Sequence, residues 1–238
     1  MSSYAMTGRL AGMVYLGVVV TGMFTLAYSP TRLFVEGDAL ATLASIVRHE
    51  SLFRASVAAG VTMCLFFLVL PVVLFMLLER HGRAAAALMV VFVVASVPIS
   101  LIAIGNHLDI IALVFEPTAG AAPSPDAVAA HLDAYDRGMS LASIFWGLWL
   151  APLGFLVLKS GAIPRALGVL LIIGCVGYLV NFFGPLLFPG YDELPLRSFI
   201  SIPGSIGEIG TCLWLVVKGA REVPPFTAGQ SVGGSAAT

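Results

Sequence analysis

Between Phe53 and Leu78 the chain reads FRASVAAGVTMCLFFLVLPVVLFMLL, a run in which Arg54 is the only charge. A helix crossing a hydrocarbon core about 30 Å thick needs about 20 predominantly apolar residues. This run therefore reads as one transmembrane helix. Five more windows of suitable length follow the same pattern: Leu10–Tyr28, Ala84–Gly105, Met139–Leu158, Ala166–Phe188 and Phe199–Val217. The expected fold is all-α, a polytopic membrane protein built as a bundle of six transmembrane helices over residues 1–218. Leu10–Tyr28 exceeds the roughly 7–15 residues of a signal-peptide core, so it reads as an uncleaved first span.

The whole composition agrees. Hydrophobic residues make up 59% of the 238 residues and charged ones only 11%, against about 25% charged in soluble domains. So much apolar surface requires lipid as solvent, and membrane lipids are the expected partners. The formal net charge of −1 offers no electrostatic footprint for nucleic acid. Cys64, Cys175 and Cys212 all fall in apolar windows; an odd set so placed reads as small core residues rather than a disulfide framework.

Charge sets the expected orientation. Arg9, Arg80, Arg83, Lys159, Arg165, Lys218 and Arg221 flank one set of helix ends, opposed only by Glu79 and Glu222. The opposite set holds Arg32, Arg48, Arg54, Arg137 and Arg197 against Glu36, Asp38, Glu50, Asp109, Glu116, Asp126, Asp133, Asp136, Asp192 and Glu193. Basic short loops stay in the cytoplasm. The expectation is a multi-pass protein of the cell (cytoplasmic) membrane with the N-terminus and C-terminus both inside. Residues 219–238, with Pro224-Pro225 and a Gly/Ser/Ala-rich end, read as a disordered cytoplasmic tail.

Two outer loops carry helix signals. Asp38 suits an N-cap before a stripe of Leu40, Leu43 and Val47, a helix lying at the interface. Ser124-Pro125-Asp126 combines a capping hydroxyl, a first-turn proline and an acid at the positive dipole end. Val128, Leu132 and Tyr135 then give that helix a buried side. Related starts at Gly8-Arg9, Gly82-Arg83 and Pro164-Arg165, with Leu70-Pro71 and Ala151-Pro152 in the returning helices, suggest three helical hairpins opening outward.

One carboxylate stands out. Glu208 is centred in the Phe199–Val217 window, where a charge costs roughly 2.5 kcal/mol or more to insert and is kept because something pairs with it or uses it. Pro203-Gly204-Ser205-Ile206-Gly207 precede it, suggesting a broken helix beside a midplane site. Other polar groups crowd the outer half: Arg54, Asn181, Asn106, His107, Asp109 and Asp136-Arg137. The expected ligand-binding set is Glu208, Arg54, Asn181, Asn106, His107 and Asp136, around a polar cavity opening outward. A structural alternative has Glu208 paired with Arg54 or Asn181, merely fixing the bundle.

Other chemistry finds little support. His107-Leu108-Asp109 and His131-Leu132-Asp133 have zinc-compatible donors, but side chains two apart on a helix diverge by about 200° and cannot chelate as a pair. Gly204-Ser205-Ile206-Gly207 lacks the spacing of a nucleophile elbow. No phosphate loop, dinucleotide fingerprint or His-Glu-x-x-His occurs. No cofactor, metal or catalytic residue is expected, and Trp146, Trp149 and Trp214 read as packing or interface anchors.

Particular motifs resemble a known family. They are Phe145-Trp146-Gly147-Leu148-Trp149-Leu150-Ala151-Pro152-Leu153-Gly154, Lys159-Ser160-Gly161, and Pro164-Arg165 with Leu167-Gly168-Val169-Leu170-Leu171. Gly177-Tyr178-Leu179-Val180-Asn181-Phe182, Ile202-Pro203, Gly207-Glu208, Leu213-Trp214-Leu215 and Lys218-Gly219 follow. Near the start, Arg9-Leu10-Ala11-Gly12, Tyr15-Leu16 and Leu52-Phe53-Arg54 fit as well. Over roughly residues 5 to 220 the chain resembles the prokaryotic membrane family called domain of unknown function 4386. The resemblance implies a compact helical membrane protein from a bacterium or archaeon, and carries over no catalytic residue.

Three functional readings follow. In the first, a small amphipathic or lipid-like ligand enters from outside and meets Glu208, for binding or transport. In the second, an intramembrane lipid-modifying or hydrolytic enzyme uses Glu208 or the outer His/Asp groups, which requires two titratable groups at one reacting atom. In the third, an accessory or sensory subunit has only structural polar residues. Gly8/Gly12 and Ser96/Ser100 suit helix association within the chain or in a homo-oligomer.

Overall fold

The computed structural model describes residues 3–116, 123–191, 194 and 199–221. Asp192, Glu193, Arg197, Glu222 and the remainder of the tail lie outside the described residues. The described part is all-helical. Helix α1 (Ser3–Gly22) passes through a π-helical turn, Met23–Tyr28, into α2 (Ser29–Leu33). Then come α3 (Ala39–Arg48), α4 (Glu50–Leu78), a 3-10 turn at Glu79–His81, and α5 (Arg83–Phe115). The chain continues with α6 (Pro125–Leu148), α7 (Leu150–Ser160), α8 (Arg165–Leu187) and α9 (Ile202–Lys218).

Five helical stretches among the described residues are long and apolar enough to cross a membrane: Tyr4–Leu33, Glu50–His81, Arg83–Phe115, Pro125–Ser160 and Arg165–Leu187. The last helix, α9, has 17 residues. Large apolar side chains such as Leu10, Leu65, Met76, Val91, Ile102 and Val176 are exposed, a belt that water would penalise and acyl chains accept. The architecture is that of a multi-pass membrane protein.

The helices close on themselves in chain order. Helix α1 packs on α4, α4 on α5, α5 on α6, α6 and α7 on α8, α8 on α9, and α9 returns to α1. The hairpins α1/α4, α5/α6 and α8/α9 are thus neighbours in space. Trp149, fully buried, sits at the joint of α6 and α7 with its ring edge-on to Tyr15 (5.9 Å) and Phe67 (5.2 Å).

In lipid, helices associate through close packing and hydrogen bonds more than through water exclusion, so small residues decide where backbones meet. A Cβ placed on Gly12 would meet the backbone of Leu215 at 2.6 Å, and one on Gly8 would reach the Ala220 Cβ at 2.8 Å. On the other flank of α9, a Cβ on Gly174 would fall 2.5 Å from the Gly204 Cα. Helix α9 is clamped between α1 and α8. Beyond it, the Arg221 N–H donates to the Ala162 carbonyl at 3.1 Å, and the Arg221 guanidinium lies 4.7 Å from the Trp214 ring centre.

Several expectations need correction. The third span does not stop at Gly105 but runs to Phe115, because Asn106 to Asp109 contains no helix breaker and apolar residues resume at Ile110. The helix starting at Pro125 is not a separate outer piece; it continues into the fourth span, as Gly138 lets it lie against Ala103. With 33 residues, α5 is about 50 Å long, so its end projects past a core of about 30 Å. The Asp38 cap is present, its Oδ1 accepting from the Ala41 N–H at 2.8 Å. The buried face of α3, however, is Thr42, Leu43 and Ile46, with Leu40 and Val47 exposed. Pro203 occupies the first turn of α9 and breaks nothing within it. Helix α9 is regular through Glu208 because a first-turn proline lacks only a donor that has no helical partner anyway.

Candidate functional site

The stripe Gly204, Gly207 and Thr211 is buried on α9, and the clamp described above orients the helix. It places Glu208, one residue round from Gly207, beside α1. There the Tyr15 hydroxyl donates to Glu208 Oε1 at 3.5 Å. Tyr178 of α8 lines the same cavity as Glu208. Two phenols, one from each flanking helix, thus stand beside the one acidic group of α9.

Helix α1 touches the backbone of α9 at Gly12 and the segment just after α9 at Gly8, and meets Glu208 through the Tyr15 side chain. Beside that contact lies a cavity of about 320 Å³. Its walls are Val19, Met23 and Leu26 of the first span, Met63 and Phe67 of α4, and Trp146, Trp149 and Tyr178. Ser205, Glu208 and Ile209 close it from α9. The lining is chiefly apolar and aromatic, with Glu208, Ser205 and the phenol hydroxyls as its polar points.

The π-helical turn Met23–Tyr28 forms part of this wall. Such turns recur at functional sites because the extra residue re-aims neighbouring side chains. Here the Thr25 hydroxyl lies 3.2 Å from that of Ser56 on α4, anchoring the turn inward. Met23 and Leu26 then face the cavity while remaining exposed at its mouth, as does Ile209. An outer groove along α9, lined by Ser201, Ile202, Ser205, Ile206, Ile209, Gly210 and Leu213, shares Ser205 and Ile209 with the cavity.

Of the six residues singled out from the sequence, Glu208 lines this cavity and the other five stand elsewhere. Arg54 Nε–H donates to Glu50 Oε1 at 2.8 Å, with its guanidinium 5.2 Å from the Phe115 ring centre. The Asn181 Oδ1 accepts from the Tyr191 hydroxyl at 2.9 Å. Neither forms the pair with Glu208 that the structural alternative required, since each has a partner on its own helix or the following loop. Asn106 Oδ1 lies 3.3 Å from His131 Nδ1, which is also 3.7 Å from Asp109 Oδ2. His107 is not at a rim: it is 4% exposed and stacked on Tyr135 at 3.8 Å, beside Phe53 at 5.3 Å. Asp136 is exposed on α6. Among the described residues no cluster of three or more His, Cys, Asp or Glu is placed to hold a metal ion, and Cys64, Cys175 and Cys212 are free and buried.

Sequence reasoning missed Tyr15, Tyr178, Trp146 and Trp149 as site residues. A signal was present: each lies in an apolar window and within a motif that carries the family resemblance. Intramembrane phenols and indoles belong with charged groups in a depth inventory, because each brings a donor that hydrocarbon cannot satisfy.

An all-helical bundle with five stretches long and apolar enough to cross a membrane among the described residues defines a polytopic helical membrane protein. Residues 10–219 match the family described as Domain of unknown function (DUF4386), and the chain belongs to that family. It is also 40% identical over 92 residues to an uncharacterized protein of Archaeoglobus fulgidus, a match covering 38% of this chain. The chain spans about half the length, 51%, of that curated relative. No solved structure shows a significant match.

Proposed function

We propose that the protein binds a small amphipathic or lipid-like molecule within the membrane, in the cavity around Glu208, as a carrier or receptor for it. The observation carrying this reading is the cavity beside the Tyr15–Glu208 contact. Its volume of about 320 Å³ lies within the range of about 300–1,000 Å³ usual for small-molecule sites. The polar end of the guest meets Glu208, and its apolar body lies along Met23, Leu26, Met63 and Phe67. The site takes Glu208, Tyr15 and Tyr178 as its polar core, while Arg54, Asn181, Asn106, His107 and Asp136 order the bundle around it.

In the same reading α9 is a sixth span. Its 17 residues reach the short end of the roughly 17–25 range, and its packing along both α1 and α8 supports full insertion. Both termini are cytoplasmic and the membrane is the cell membrane, as the seven flanking bases support. The cavity, lying at the Ile202 end of α9, then belongs to the outer half of the bilayer.

The test is retention of co-purifying small molecules in mild detergent, read by native mass spectrometry, for wild type and Ser205→Trp. The indole would fill the cavity mouth. Wild type should carry an adduct that Ser205→Trp loses; equal adducts, or none in either protein, would overturn the reading.

A further inference from the structure

Resting on that reading, we propose that the guest is an organic ammonium: a cationic nitrogen head seated between Glu208 and the aromatic walls, on a compact apolar body. Charge balance points there first. The Tyr15 hydroxyl donates to the Glu208 carboxyl at 3.5 Å, and Tyr178 stands beside it in the cavity lining. Among the described residues no arginine, lysine or histidine lines the cavity. Intramembrane carboxylates are ordinarily paired with an opposite charge. A carboxyl with one phenol donor and no resident cation in its cavity is complementary, in its ionised form, to a cation from outside.

The walls specify which kind. A metal ion would need several oxygen or nitrogen ligands at short range, and this lining offers one carboxylate, phenols and a serine in a space far larger than an ion. Tyr15, Phe67, Trp146, Trp149 and Tyr178 instead present five aromatic rings around it. Rings grouped with a carboxylate are the arrangement that holds alkylated ammonium groups, through attraction of the cation to the π faces.

The experiment compares phenyltrimethylammonium with its uncharged carbon isostere, tert-butylbenzene, on full-length protein in dodecyl maltoside. Binding is followed by tryptophan fluorescence and calorimetry in wild type, Glu208→Gln and Ser205→Trp. Wild type should bind the ammonium at least about tenfold tighter than the isostere, the scale of a desolvated cation–π contact. Glu208→Gln should erase that preference while still binding the isostere. Equal affinities in wild type, or an unchanged preference in Glu208→Gln, would overturn the ammonium assignment and leave the cavity reading intact. Failure of wild type to bind either compound more tightly than Ser205→Trp would overturn both. The head group has two sources, distinguished by competition with dihexanoyl phosphatidylcholine. Displacement of the probe would assign the site to a lipid headgroup, and probe retention would assign it to a free amphipathic amine.

Discussion

The Tyr15 hydroxyl lies 3.5 Å from Glu208 Oε1 although the two residues are 193 positions apart. Their contact borders the cavity that α1 and α9 line together. On one side of it glycines bring backbones together; on the other lies the cavity. The arrangement resembles a hinge-ended clip, with the clamped end at Gly8, Gly12 and Ala220.

The clamped end should be intolerant of added bulk. Gly12→Leu should lower stability by about 1–3 kcal/mol, the usual cost of overpacking, since its Cβ alone would meet the Leu215 backbone at 2.6 Å. Gly105→Ala, where a Cβ meets nothing within 4 Å, should be neutral or slightly stabilising. Thermal denaturation followed by size-exclusion chromatography in detergent compares the two.

If the Tyr15 phenol holds the carboxyl, their effects are coupled. Tyr15→Phe, which removes the donor to Glu208, should destabilise wild type by about 1.5–3 kcal/mol, the scale for a hydrogen bond to a charged group, and by much less in a Glu208→Leu background. A double-mutant cycle in thermal or denaturant unfolding measures the coupling; additive effects would separate Tyr15 from the carboxyl.

Arg54 offers a contrast. Its pair with Glu50 is solvent-accessible, with side chains 42% and 46% exposed, and such pairs contribute at most about 1 kcal/mol. Arg54→Gln should leave stability within that margin and leave phenyltrimethylammonium binding unchanged. A loss of binding comparable to Glu208→Gln would return Arg54 to the site.

Sidedness is directly measurable. Arg83 opens α5 and Glu116 follows its end, and both are exposed. In intact cells a membrane-impermeant maleimide should label Glu116→Cys, and should label Arg83→Cys only after permeabilisation. The reverse pattern would invert the proposed orientation.

The spans were legible because lipid imposes a length and an apolar composition that a single window such as Phe53–Leu78 displays. Where they end was less legible: polar residues Asn106 to Asp109 and Asp136-Arg137 resemble loop, yet helical hydrogen bonding continues through them because no proline or glycine run interrupts it. Glu208 was legible as an isolated acid in an apolar window. Its partners were not, since Tyr15 and Tyr178 are distant in sequence and only the packing of Gly12 and Gly174 against α9 brings them together. The aromatic character of the cavity likewise depends on which helices pack beside α9, which no local pattern encodes.

The most direct measurement is an experimental structure of the full chain in lipid with phenyltrimethylammonium present. The account predicts non-protein density between Glu208, Tyr178 and Trp149. A carboxyl sealed among protein side chains, with no space beside Met23 and Ser205, would contradict it.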